Sequence, residues 1–427
     1  MTRRVVWILN HYVAEAARDG RTSRHEQFAR TLGQHGWHCV LIGASTVHPS
    51  GGQTFPRLRF REHRREGTHE VLRLRGVRYR GPIRRVLDML LVTLIALAPG
   101  TTRGLPQPDV VVGSSFHPLA AWAAARLARR RGARFVFEPR DLWPETLVAF
   151  TDLSQRSLVV RALRAIEADV VRRADALVSP LARAGDYYAA RGRHLPFSWV
   201  SNGTEPWDEA EPWDEAEPVH REQFVVTYLG SVGRANALDA VVDALAHPTV
   251  ATLPTRVVLR IVGDGPAVEG LRRRAADGPA SERIEFLGRR SQPAARAIGR
   301  SSDCLIANMA DLPLYQWGVS FNKLFEYARI GRPVVLGAAG PVPVFDDGNA
   351  VLTTADDATA LAAGIARTVE MGPTRRATLA RLASERAREA FTYPALTARF
   401  AAALDRACSV RPDALLSHPP TSKENAP

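Results

Sequence analysis

At 427 residues the chain exceeds what a single hydrophobic core supports, and 45% apolar with 24% charged residues excludes wholesale disorder. Its formal charge of +13 is uneven: residues 1–200 hold 32 arginines and 16 acids, whereas the remainder holds 25 basic and 28 acidic residues. The three cysteines, Cys39, Cys304 and Cys408, are odd in number and far apart, which excludes a closed disulfide framework or a Cys-x-x-Cys metal knuckle and fits a reducing cytoplasm.

The chain opens Met-Thr-Arg-Arg-Val-Val-Trp-Ile-Leu-Asn, an apolar run too short for a signal peptide that predicts a first strand over 5–9. Further β-branched runs at 39–42, 110–112, 134–138 and 176–179 alternate with helical stretches, and a second series follows at 224–229, 256–262, 284–286, 304–307 and 333–336. This alternation predicts an α/β chain of two Rossmann-like, doubly wound parallel sheets facing a cleft. The expected divisions are a first domain over 1–200, an acidic linker over 201–222, a second domain over 223–372, C-terminal helices over 373–410 and a frayed Pro/Ser-rich tail over 411–427.

The loop after the first strand ends Asp19-Gly-Arg-Thr-Ser-Arg24 and places Gly20 and Arg24 at the cleft edge. The apolar stretch 86–99 follows six arginines between 73 and 85 and is too short to span a bilayer, which needs about 20 residues. Two readings stand for it: a helix buried in the domain, or one lying in a membrane surface with its arginines on anionic lipid. His117, in Ser114-Ser-Phe-His-Pro118, ends a strand and is either a catalytic candidate or a structural histidine. Glu138, Arg140 and Asp141, in Phe137-Glu-Pro-Arg-Asp-Leu-Trp-Pro-Glu145, end the next one, where ligands sit in open α/β sheets. At the boundary Glu205-Pro-Trp-Asp-Glu-Ala210 is repeated at once as Glu211-Pro-Trp-Asp-Glu-Ala216. That segment fits a clamp against the basic half or a duplicated linker of no consequence.

In the second half, Tyr228-Leu-Gly-Ser-Val-Gly-Arg234 follows a strand; Gly230 and Gly233 permit close backbone approach and Arg234 can pair with phosphate. Val262-Gly-Asp-Gly-Pro266 brings Asp264 to the same edge, unless it is only a tight turn. Only two lysines stand against 55 arginines, and one, Lys323, lies in Gly318-Val-Ser-Phe-Asn-Lys-Leu-Phe-Glu-Tyr327. Lysine is a compact point charge suited to phosphate. Ser320 is expected to cap a helix whose first amides, from Phe321, Asn322 and Lys323, bind an oxyanion. Glu326 shares a face with Asn322 and could accept two ribose hydroxyls, or be a solvated surface acid.

Taken in order, these segments resemble the retaining glycosyltransferases of family 4, which have the GT-B fold, and most of all the WbuB-like sugar transferases of surface-polysaccharide assembly. The matching blocks include Ser23-Arg-His-Glu-Gln-Phe-Ala29, Glu-Pro-Arg-Asp-Leu-Trp-Pro, Ser201-Asn-Gly203, Leu-Gly-Ser-Val-Gly, Gly-Asp-Gly-Pro and Asn-Lys-Leu-Phe-Glu-Tyr. The resemblance implies a nucleotide sugar, UDP-linked, held by the second domain, with transfer of a hexosyl or N-acetylhexosaminyl group and no metal or cofactor. Gly20 would help hold the donor, Arg24 would lie on the acceptor side, and Glu138, Arg140, Asp141 and His117 would form the catalytic edge. The acceptor implied is lipid-linked or otherwise amphiphilic, at the cytoplasmic membrane face; a soluble small-molecule acceptor and a sugar-nucleotide epimerase of the same fold are the alternatives. Two departures stand out: the family's Glu-x7-Glu begins here with Gly318, and Glu138 replaces a frequent histidine. Nucleic acid is disfavoured because the arginines are dispersed rather than interleaved with aromatics.

Overall fold

The computed structural model describes residues 3–13, 23–48, 50–56, 58–207 and 223–409. The first sheet contains β1 (Arg4–Leu9), β2 (Trp37–Ala44), β3 (Arg61–Glu66), β4 (His69–Leu74), β5 (Val110–Ser114), β6 (Arg134–Glu138), β7 (Ala176–Ser179) and β8 (Phe197–Trp199), in the order β8-β7-β6-β5-β1-β2-β4-β3. Its strands are parallel except β3, which runs antiparallel to β4. The second sheet contains β9 (Gln223–Leu229), β10 (Arg256–Val262), β11 (Ile284–Gly288), β12 (Cys304–Ala307), β13 (Val334–Ala338) and β14 (Val351–Thr354), ordered β11-β10-β9-β12-β13-β14 and parallel throughout.

Helices cover both faces of each sheet, so the central strands are buried on two sides and read as unbroken apolar runs such as Val6-Trp-Ile-Leu9 and Cys304-Leu-Ile-Ala307. In each sheet the strand order reverses beside the first strand, between β1 and β5 and between β9 and β12. Ligands collect outside the carboxyl ends of the strands at such a switch point. Four sheet strands escape the sequence reading. β3 carries arginine or glutamate at five of its six positions, as suits the edge of a sheet, β4 beside it is interrupted by Glu70 and Arg73, and β8 and β14 are short.

The stretch 86–99 belongs to a helix, Pro82–Leu97, on the outside of the first domain. Its outward stripe is apolar, with Ile83 78% and Leu94 66% exposed and Val86, Leu87 and Leu90 between them, whereas Asp88 points inward and is 0% exposed. The opposite face buries Val92, Thr93 and Ala96 on the core of the first domain, so the helix is half buried in the domain and half turned outward. No described helix is long and apolar enough to cross a membrane.

The two domains join at Val200–Thr204. Asn202 donates from its backbone N to Ser320 Oγ (3.0 Å) and from its amide to the Ser320 carbonyl (2.6 Å), and a Cβ on Gly203 would meet the Phe391 carbonyl oxygen at 2.2 Å. Glu205 accepts from Gln27 (2.6 Å), and Trp207 lies under the guanidinium groups of Arg329 and Arg388. The second copy of the repeat lies outside the described residues. After the helix Pro373–Ala390 the chain returns to the first domain: in the helix Tyr393–Ser409, Phe400 stacks on Phe28 (4.9 Å) and Asp405 accepts from Arg4 (2.9 Å) and Trp37 (3.1 Å).

Candidate active site

The second-domain side of the cleft is built around Lys323. The helix Asn322–Ile330 begins one residue later than expected: Phe321 occupies the cap position, with no side-chain cap. Ser320 does not cap it, because its hydroxyl is taken by the Asn202 amide across the domain junction. Among the described residues no side chain caps the first amides of the helix, which suits an anionic ligand. Lys323 Nζ donates to Tyr228 Oη (3.2 Å) and to Asn236 Oδ1, and lies over the rings of Tyr228 (4.8 Å) and Phe321 (5.3 Å). No carboxylate pairs with it among the described residues, and burial lowers its pKa to about 7. A desolvated ammonium with neutral neighbours gains most from an incoming anion.

The glycine turn arches over this lysine. Gly230 has φ +154, and a Cβ there would lie 3.2 Å from Lys323 Cδ and 3.0 Å from Tyr228 Oη. Gly233 precedes the 3-10 turn Arg234–Asn236, Arg234 is exposed without a partner among the described residues, and Asn236 is anchored to the Ser231 carbonyl (2.8 Å). Asp264 is exposed; its carboxylate closes its own turn on the Gly265 amide (2.8 Å) and its carbonyl receives the Val232 amide (3.0 Å). Asp264 thus shapes the glycine turn from below. Glu326 accepts from Thr204 Oγ1 (2.9 Å) and Arg296 Nε (2.9 Å), a half-buried acid bridging the hinge and the second domain.

Across the cleft Glu138, Arg24 and His25 form a closed, buried cluster. Glu138 is 0% exposed and accepts on one oxygen from Arg24 Nε (3.1 Å) and on the other from His25 Nε2 (2.6 Å). Burial pushes its pKa up, but His25 and Arg24 overcome that and hold the carboxyl well below its usual range. Asn10 Nδ2, a donor, bonds His25 Nδ1 (3.1 Å), so the His25 proton lies on Nε2 facing Glu138. The remaining Arg24 nitrogens donate to the Val200 (2.6 Å) and Ser201 carbonyls, and its guanidinium lies over Phe28 (4.6 Å). Arg24 and Glu138 thus lie buried against each other and against the crossover. Together they fasten β6 to the interdomain crossover.

Arg140 is half-buried and Asp141 exposed, both just beyond the end of β6. The surrounding protein raises the Asp141 pKa, opposed by the charge of Arg140. His117 is 2% exposed, precedes the helix Pro118–Arg131, and has no partner on either ring nitrogen among the described residues. Its pKa falls well below the usual value through burial, with the charges of His11 and Arg85 adding to it. Gly20 lies outside the described residues. His25, Asn10, Tyr228 and Asn236 escape the sequence reading, because no local spacing marks a histidine or asparagine whose partner is a hundred residues away.

Gly318, which replaces the first acid of Glu-x7-Glu, has φ +115, and a Cβ would meet the Ala182 backbone N of the other domain at 2.6 Å. The loop Pro313–Trp317 crosses to the first domain here, through Arg183 N donating to the Trp317 carbonyl (2.9 Å). A glutamate at 318 would strain the backbone and part the domains.

Residues 10–203 match the family described as glycosyl transferase 4-like domain, and residues 223–371 match glycosyl transferases group 1. No curated protein sequence matches significantly. Solved structures do resemble it. Sucrose-phosphate synthase from Thermosynechococcus elongatus superposes with a TM-score of 0.67 at 17% identity, over 95% of this chain and 98% of that one. An alpha,alpha-trehalose-phosphate synthase (UDP-forming) from Burkholderia vietnamiensis gives 0.68 at 15% identity, over 96% and 100%. Anabaena HepE in complex with UDP gives 0.63 at 14%, over 94% and 100%. At these identities the likeness is one of fold, the GT-B arrangement of two parallel α/β domains.

Proposed function

We propose that this chain, whose two halves are both glycosyltransferase domains, moves a sugar with retention of configuration from a UDP-linked donor to an amphiphilic, lipid-linked acceptor. The observation that carries the donor half is Lys323: a desolvated cation with no acid partner among the described residues, beside uncapped helix amides and under a glycine turn. A diphosphate entering there receives an ammonium, the Phe321–Lys323 amides and the exposed Arg234, and Glu326 lies one helical turn further on for the ribose. As the bond from the anomeric carbon to the diphosphate breaks, the same groups take up the charge developing on the leaving oxygen, the acceptor oxygen bonds the carbon on the same face, and its proton passes to the diphosphate. One preorganised donor at such an oxygen is worth about 3 kcal/mol. Arg140 and Asp141 line the acceptor side of this reading.

The outward stripe of Pro82–Leu97 supports an acceptor presented at a membrane. Five apolar side chains face solvent on one helix, beside the exposed Arg78, Arg80 and Arg84, as suits a helix lying on an anionic surface. The sequence blocks favour the WbuB-like group within the family. A soluble acceptor is the second reading, favoured by the fold likeness to sucrose- and trehalose-phosphate synthases.

Calorimetric binding of UDP, GDP, dTDP and ADP tests the donor site. UDP is expected to bind, and Lys323→Ala to weaken it ten- to a hundredfold, from about 1.5–3 kcal/mol for a charged hydrogen bond. Glu326→Ala is expected to weaken UDP but leave pyrophosphate unchanged. Binding indifferent to Lys323 would overturn the assignment.

A further inference from the structure

We infer that the cavity between the loop Pro313–Trp317 and the first domain is a binding site for a neutral sugar ring carried by the acceptor. This rests on the transferase reading and deepens it, since the acceptor is then a molecule that is already glycosylated.

The cavity has a volume of about 280 Å3, close to the roughly 300 Å3 at which small-molecule sites begin. One wall comes from the segment after β6, just past Arg140 and Asp141, and the other from the loop of the second domain. Tyr315, of the same loop, turns elsewhere: its ring meets Phe321 edge on at 6.0 Å, and Phe321 lies 5.3 Å from the Lys323 ammonium. One short loop therefore divides the cavity from the diphosphate pocket, as suits an acceptor subsite beside a donor site.

The polar groups around the cavity are held in place. Arg164 donates to both oxygens of Glu145 (3.2 Å each), to the Gln155 backbone carbonyl (3.2 Å) and to the Gln155 side-chain oxygen. That fixes the Gln155 amide and leaves its N–H donors unused among the described residues. Gln316 is the converse: its nitrogen donates to the Pro313 carbonyl (2.8 Å), which leaves its oxygen as an acceptor. Arg191, donating to the Tyr187 carbonyl (3.2 Å) and lying 3.6 Å over the Tyr187 ring, adds further donors. Tyr187 also lines the cavity; it is 1% exposed, and its hydroxyl has no partner among the described residues. A buried hydroxyl left unpaired costs free energy that a ligand oxygen recovers. Donors and acceptors mixed in this way match hydroxyl groups, each of which both gives and takes a hydrogen bond. Glu145, in the first turn of its helix, repels an anion, and fixed amides and a phenol do not suit a hydrocarbon. Trp317, edge to face with Tyr187 at 5.6 Å, and Leu142 supply apolar surface for the C–H face of a sugar ring.

Methyl glycosides of glucose, galactose, mannose and N-acetylglucosamine are the probes, with glycerol as a polyol that has no ring. Binding to the full chain is followed by saturation-transfer NMR and tryptophan fluorescence, with UDP affinity measured on every variant. At least one glycoside is expected to bind with a millimolar Kd, as suits so small a ligand, and glycerol far more weakly. Gln155→Leu with Gln316→Leu, both at exposed positions, is expected to weaken that glycoside at least tenfold while UDP affinity and the unfolding midpoint are unchanged. Tyr187→Phe removes only the unpaired hydroxyl. It is expected to weaken the glycoside about two- to tenfold, the worth of one neutral hydrogen bond, without loss of stability. Absence of glycoside binding overturns the inference, as does equal binding of glycerol or binding indifferent to these substitutions. Failure of UDP to bind while the glycoside still does removes the donor reading instead, so the two failures are told apart.

Discussion

The two sides of the cleft treat charge in opposite ways. On the first-domain side Glu138 is buried and satisfied at both oxygens, and Arg24 and His25 spend their donors on it and on the crossover carbonyls. On the second-domain side Lys323 is half-buried and, among the described residues, meets a phenol, an amide and two ring faces. Removing one partner of a complete buried pair strands the other charge, so such a pair holds structure together. A buried charge with no counter-charge is costly to the free protein and is relieved by a ligand that supplies one. Completeness of pairing thus separates what anchors the cleft from what waits for a diphosphate.

The sharpest way to break this contrast is to remove one acid. Glu138→Ala leaves the Arg24 guanidinium buried without compensation and should cost about 3–5 kcal/mol of stability, read by denaturant unfolding. A loss below about 1 kcal/mol, the worth of an exposed pair, would show that the cluster is not the anchor described. Next in size is Gly318→Glu, which restores the family acid. Its strained backbone and the collision with Ala182 should lower stability by about 1–3 kcal/mol and weaken the domain junction, checked by thermal unfolding and limited proteolysis near the crossover. Lys323→Met should act in the opposite direction to Glu138→Ala. The folded pKa of Lys323 lies near 7, below the usual lysine value, so the unfolded chain holds that proton more tightly between pH 7 and the ordinary lysine range. Burial of the lysine therefore costs stability in full below pH 7, and the cost fades as pH rises, so Lys323→Met should raise the unfolding midpoint at neutral pH. Smallest is the pH dependence of the site: UDP affinity should fall between pH 7 and pH 9 as free Lys323 loses its proton, by at most tenfold per unit. Calorimetry in buffers of different ionisation enthalpy should register proton uptake on binding, absent in Lys323→Met.

Much of this was legible without coordinates. Strands 134–138, 176–179, 256–262 and 304–307 coincide with the observed β6, β7, β10 and β12, because parallel strands buried on both faces must be nearly continuous apolar runs. Lys323 and Gly230 stand out in the sequence because a lone lysine among arginines and a glycine-rich strand end are both local patterns. Ser320 was not legible. By every local rule it caps the helix, but a backbone amide from the hinge takes its hydroxyl first. The partners of Arg24 were not legible either: a loop arginine beside a glycine suggests a ligand contact, and only folding shows it buried against Glu138 and the crossover carbonyls.

The helix Pro82–Leu97 draws the line between the two kinds of knowledge. Its composition determined that a helix would form and that it was too short to span a bilayer, since both depend on neighbours along the chain. Which face turned inward, the one with Asp88, Val92 and Ala96, was decided by the fold. That acid found His11, Thr46 and the Val77 amide on three other segments, while Val92 and Ala96 beside it entered the apolar core. Propensity, apolar period and turn residues act locally and could be read from the sequence. The partner of a buried charge is chosen among groups far apart in the chain, and only the tertiary structure brings them together.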